Sequence, residues 1–131
     1  MKKNKKRLAW LFQLLAAAIL ITVGVMKIDG SPENVMMFQA LDMEPGGRYL
    51  IGIIEIVAGL LLLTDALAAT GAFIAIGVML GAIIAHATVL GYAINNDGGM
   101  HLWLLIVLLA CCLAVAWLRR EQMPFIGKTF E

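Results

Sequence analysis

Lys27, Glu55, His86 and His101 are ionisable residues set within or at the ends of four separate apolar stretches. An ammonium, a carboxylate and two imidazoles can hydrogen-bond a polar headgroup, exchange protons with it and set one another's charge. Ionisable groups in hydrocarbon are costly, so they face a protein interior or a water-filled cavity and mark functional positions. Lys27 or Arg48 could supply the charge opposite Glu55, and His86 a hydrogen bond or an exchangeable proton. Arg48 and Gln13 are secondary members of this polar set. The alternative to a binding cluster is a buried polar clamp that only fixes helix order. Taken singly, Lys27 also fits an interfacial lysine, and His101 a helix-start residue in water.

Other chemistry is poorly supplied. Cys111 and Cys112 are adjacent, about 100° apart on a helix. They are therefore no Cys-x-x-Cys exchange pair and read as small packing residues. Two histidines and one glutamate do not compose a di-iron centre, although two opposed histidines could ligate haem. No Walker loop, G-x-G-x-x-G or nucleophile elbow occurs. No catalytic residue and no metal site is expected.

The elements that must position these groups follow from composition. Of 131 residues 62% are apolar and 15% charged, against roughly 45–50% and about 25% in soluble domains. A soluble domain is excluded, and the surface must face lipid. Four apolar runs, residues 8–26, 49–63, 67–93 and 100–118, each approach the ~20 residues that cross a bilayer. The expectation is a single all-α domain over residues 1–131, a transmembrane four-helix bundle. The boundary at Thr64-Asp65 is the least sharp, and tilt can absorb the unequal span lengths. Between the first two spans, Ser31-Pro32-Glu33 supplies a helix N-cap, a proline at the first helical position and an acid at the positive helix end. A short interfacial helix over residues 32–41 is expected, with Val35, Met36, Phe38 and Leu41 as its apolar face. Asn95-Asn96-Asp97-Gly98-Gly99 is the second outer turn.

Eight of the ten basic residues, Lys2, Lys3, Lys5, Lys6, Arg7, Arg119, Arg120 and Lys128, lie at the two ends. With an even span count, this places both termini in the cytoplasm. The first span is too long for a signal peptide's apolar region and no small-x-small cleavage pattern follows it, so it is expected to be retained. The basic N-terminal segment suits anionic lipid, and no nucleic-acid partner is expected.

Helical spacing puts Gln13, Ala17, Leu20, Gly24 and Lys27 on one face of the first span. Gly52, Glu55, Gly59 and Leu62 share a face of the second, Ala75, Met79, Ala82 and His86 of the third, and His101, Leu105, Leu108 and Cys112 of the fourth. Gly77, Gly81 and Ala85 add a small-xxx-small line that could serve internal packing or a homo-oligomer. Glu55 lies roughly 10 Å along its helix from Arg48, and His86 roughly 13 Å before Asn95, so the four ionisable groups gather in the outer half.

The segments GVMKIDG, PENVMMFQALDM, GGRYLIGIIEIVAGLLLLT and GAFIAIGVMLGAIIAHATVL resemble the DoxX family of small four-helix membrane proteins, in particular its DoxX-like branch. Through that resemblance the family's recurrent polar positions correspond to Lys27, Glu55 and His86. It also implies a place in a membrane oxidoreductase complex with redox partner proteins, in a bacterial or archaeal inner membrane. The leading expectation is a small subunit whose polar pocket receives a quinone headgroup. A non-enzymatic scaffold or assembly factor and a small transporter or proton-coupled channel are the alternatives. Against transport stand an inner half without ionisable relays and a chain without inverted repeats.

Overall fold

The protein is described by a computed structural model covering residues 2–93 and 97–122. Asn95 and Asn96 of the expected outer turn, and Lys128, lie outside the described residues. Within them every regular element is helical: α1 (Lys3–Asp29), α2 (Pro32–Ala40), α3 (Gly46–Leu62), α4 (Ala68–Ala85) and α5 (Met100–Leu118). A π-helical turn, His86–Leu90, continues α4, and a 3₁₀ turn, Arg120–Gln122, follows α5.

Three helical segments are long and apolar enough to cross a membrane: Lys3–Asp29, Ala68–Leu90 and Met100–Leu118. At 27 residues, α1 is about 40 Å long, so its ends extend beyond a hydrocarbon core of about 30 Å. With 17 residues, α3 reaches only about 25 Å. Leu11, Phe73, Ile84 and Trp117 are among the large apolar side chains left outward, as a lipid solvent requires.

α1 packs on α3 and α5, and α4 packs on the same two helices. Without a hydrophobic drive between helices in lipid, close packing of small residues must hold them together. The sequence supplies Ala16, Ala17, Ala58, Ala72, Ala75 and Cys112, all buried with Leu20, Leu62, Met79, Leu108 and Val115. All five residues of the α1 face, Gln13 to Lys27, are buried, as are Gly52, Glu55, Gly59 and Leu62 on α3. Backbones of α1 and α3 nearly touch where a Cβ on Gly24 would lie 2.8 Å from the Gly52 carbonyl oxygen.

α3 and α4 meet at one end only. A Cβ on Gly71 would lie 2.8 Å from the Ala58 carbonyl oxygen, whereas one on Gly77 or Gly81 meets nothing within 4 Å. The two helices therefore splay toward the α2 end. Among the described residues nothing closes on Gly77 or Gly81, and the Gly77, Gly81 and Ala85 line borders the resulting cavity.

Several local expectations need correction. Ser31 precedes α2 and Pro32 opens it, but the Ser31 side chain makes no cap bond; its Oγ accepts instead from Asn34 Nδ2 at 2.6 Å. α2 ends at Ala40, and its buried face is Asn34, Met37 and Phe38, with Met36 exposed. Met37 and Phe38 pack on Ile51 of α3 and Leu90 of the π-helical turn, so the inward side keeps Phe38 and Leu41 of the expected face and takes Met37 in place of Met36. The third apolar run ceases to be α-helical at Ala85, where the π-helical turn takes over.

Candidate functional site

Glu55 sits midway along α3, one turn beyond Gly52, and Lys27 in the last turn of α1. Helical side chains slant toward their helix N-terminus. The Lys27 stem therefore runs back along α1 past Gly52, where an added Cβ would lie 3.1 Å from Lys27 Cβ. Its Nζ reaches Glu55 Oε1 at 2.9 Å, with the two side chains 8% and 1% exposed. Of the two cations that could have paired with Glu55, the structure selects Lys27.

Arg48 is occupied elsewhere. Its Nε donates to both carboxylate oxygens of Glu44 at 2.9 Å, and Nη1 donates to the Lys27 backbone carbonyl. That carbonyl belongs to the last turn of α1, where acceptors lack helical partners and the dipole favours a cation. Arg48 thus pins the end of α1 and holds Lys27 from behind without touching Glu55.

The histidines form a second pair, from the π-helical turn and the first turn of α5. His86 Nε2 lies 3.0 Å from His101 Nδ1, and His86 Nδ1 lies 2.8 Å from the Gly91 carbonyl oxygen. The rings stack with centroids 5.2 Å apart and planes 27° from parallel. The π-helical turn shifts backbone register at His86, and such insertions gather at functional sites. Haem held between the two histidines does not fit this geometry: two of their ring nitrogens are hydrogen-bonded to each other and a third faces the Gly91 carbonyl, so His86 has none left for iron.

Both pairs open on one cavity of about 600 Å³ between α3 and α4. Its walls are chiefly apolar, among them Ile54, Ile74, Val78 and Leu105, and Met37 and Phe38 of α2 lie over it. Lys27, Glu55, His86 and His101 all line it. A chamber of this size, apolar with a few convergent polar groups, is the usual form of a small-molecule site.

Gln13, placed with this polar set from sequence, belongs to the other end of the molecule. Its Nε2 donates to Leu62 O at 2.9 Å and its Oε1 accepts from Arg119 Nε. Arg119 Nη2 lies 2.8 Å from Asp65 Oδ1, and Lys6 Nζ lies 2.8 Å from Asp65 Oδ2. Hydrogen bonding to Lys6, then to Arg119, holds the Asp65 carboxyl below its usual range. Gln122 adds a bond to Asp65 O at 2.6 Å and accepts from Ala69 N at 3.2 Å. This network ties together α1, the α3–α4 connection and the segment after α5. Sequence reasoning missed Arg119 as a structural residue because a basic residue ending a span reads as topology. The available signal was Gln13 itself, an amide in an apolar run that had to find a partner.

Cys111 and Cys112 are free thiols buried in the core, away from the cavity lining.

These features define an all-helical membrane protein with a cavity that is apolar in its walls and polar at one end. The chain matches the DoxX family over residues 9–88, a stretch that carries Lys27, Glu55 and His86, and it belongs to that family. No curated protein and no solved structure matches it.

Proposed function

We propose that this DoxX family member is a small subunit of a membrane oxidoreductase complex and holds the headgroup of a lipid-phase quinone in the cavity between α3 and α4. The observation that carries this is the convergence of the Lys27–Glu55 and His86–His101 pairs at one end of an apolar chamber of about 600 Å³. Glu55 and His101 would hydrogen-bond the headgroup and exchange protons, His86 would hold the His101 ring, Lys27 would fix the charge of Glu55, and the apolar walls would take the tail. The redox partners and the subunit role come from the family.

In the same proposal α3 is a fourth, short span over which the bilayer thins, so that α1, α3, α4 and α5 form one transmembrane four-helix bundle, with α2 at the outer interface. The terminal basic residues place both termini in the cytoplasm of a bacterial or archaeal cell, with the cavity toward the outer face of the inner membrane.

The test is quinone retention by the protein purified in lipid nanodiscs, with quinone-linked electron transfer in membranes carrying Glu55→Gln. Co-purifying quinone and a loss of transfer are expected. Protein that neither retains nor binds quinone, with unchanged transfer in the variant, overturns the proposal.

A scaffold role has one specific observation in its favour: Lys27 and Glu55 form an ion pair with each other without a ligand. It predicts that Glu55→Gln lowers abundance while the surviving protein functions normally.

A further inference from the structure

We infer that the cavity selects its ligand through a hydroxyl rather than a carbonyl, with His101 Nε2 as the accepting atom and a lipophilic phenol or hydroquinone as the ligand class. This rests on headgroup binding as proposed above and narrows it to one chemical form.

The hydrogen-bond chain that ends at His101 has a fixed direction. A carbonyl oxygen can only accept, so at 2.8 Å from Gly91 O the Nδ1 of His86 carries a hydrogen. A neutral imidazole has one N–H, which leaves His86 Nε2 a bare lone pair. That lone pair lies 3.0 Å from His101 Nδ1, and the hydrogen between them must come from His101. With its single hydrogen on Nδ1, neutral His101 has only a lone pair left on Nε2. Among the described residues no hydrogen bond reaches that atom, and His101 lines the cavity.

Gly91 anchors the whole chain. Its N–H donates to His86 O at 2.8 Å while its carbonyl accepts from the ring of the same residue. Its φ of 78° and ψ of −175° belong to a region essentially reserved for glycine. The charged groups around the histidines are already engaged. Lys27 on α1 and Glu55 on α3 pair with each other. Asp97, ahead of α5, accepts from Gly99 N at 2.7 Å and from His101 N at 3.1 Å.

A ligand hydroxyl satisfies the His101 lone pair, whereas a carbonyl brings a second acceptor against it. His101 is the ligand-contacting residue, and His86 positions its hydrogen.

The experiment uses wild-type protein in nanodiscs and three probes: a decyl hydroquinone kept reduced, its dimethyl ether, and the matching quinone. Nitrogen NMR of histidine-labelled protein is recorded in parallel. The hydroquinone is expected to bind on the order of tenfold to a hundredfold more tightly than the other two. Both histidines are expected to be protonated at Nδ1. In His86→Phe the preference should shrink to about threefold or less, as an unheld His101 ring adopts either tautomer. Equal binding of all three probes to wild type overturns this inference and leaves quinone binding standing. A His101 hydrogen on Nε2 in the neutral protein also overturns it. Binding of none of the probes removes headgroup binding and the ligand class together.

Discussion

Lys27 and Glu55 meet at 2.9 Å across two helices whose backbones come together one turn away, at Gly24 and Gly52. The absent side chains are what allow the charged ones to meet, because a Cβ on either glycine would force α1 and α3 apart.

Removing one partner of this pair leaves the other charge buried and unpaired. Glu55→Met is expected to destabilise the protein by about 3–5 kcal/mol, and Lys27→Met by a similar amount. The double variant Lys27→Met, Glu55→Met should recover most of that loss, since two apolar groups replace two compensated charges. Unfolding titrations of the three variants in mixed micelles supply the cycle; an additive double variant would mean the two charges do not couple.

The cluster at the terminal end predicts a pH dependence. Asp65 is held below its usual range by Lys6 and Arg119, so its folded value lies below its unfolded one. Its stabilisation is complete above the unfolded value and is lost as pH falls from about 4 through the lower folded value. Melting curves of wild type and Asp65→Asn should differ at neutral pH and converge in acid. A gap that widens on acidification would reverse the sign and refute the assignment.

Gly71 and Gly77 lie on the same helix and should respond oppositely. Gly71→Ala places a methyl group 2.8 Å from the Ala58 carbonyl oxygen and is expected to cost about 1–3 kcal/mol. Gly77→Ala meets open space and should be neutral or stabilise by up to about 1 kcal/mol through helix propensity. Thermal unfolding of the two variants side by side decides whether α3 and α4 splay as described.

Among the described residues, Met37 and Phe38 form the buried apolar contact of α2 with α3 and the π-helical turn. Phe38→Ala should therefore raise amide exchange across Pro32–Ala40 at least several-fold while α3 and α4 keep their protection. Unchanged exchange in α2 would show that it is fastened by something other than this contact.

Much of the helix layout is legible in the sequence, and for a plain reason. Lipid leaves polar and small residues only one favourable direction, so the line Gln13, Ala17, Leu20, Gly24, Lys27 marks the inward face of α1, where all five are buried. The partition of the polar residues is not legible. Spacing gives depth along one helix but not the angle between helices, so it cannot separate a Lys27–Glu55 pair from a His86–His101 pair. Arg48 lies near the same level as Lys27, yet it binds the Lys27 carbonyl and Glu44. Small-residue lines are equally ambiguous: Gly52 and Gly59 border α1, while Gly77 and Gly81 border a void. Which occurs depends on the splay of α3 from α4, a property of the assembled fold.

The reciprocal clasp between His86 and Gly91 has a consequence for how this protein can vary. The residue that sets which ring nitrogen bears a hydrogen contributes no functional group, only a main-chain direction at φ 78°. Changing Gly91 to any other residue would strain that direction by roughly 1–3 kcal/mol and so alter the proton inventory of a pocket it does not line. Two members of such a lineage could keep every polar side chain identical and still present opposite hydrogen-bonding faces to the same molecule.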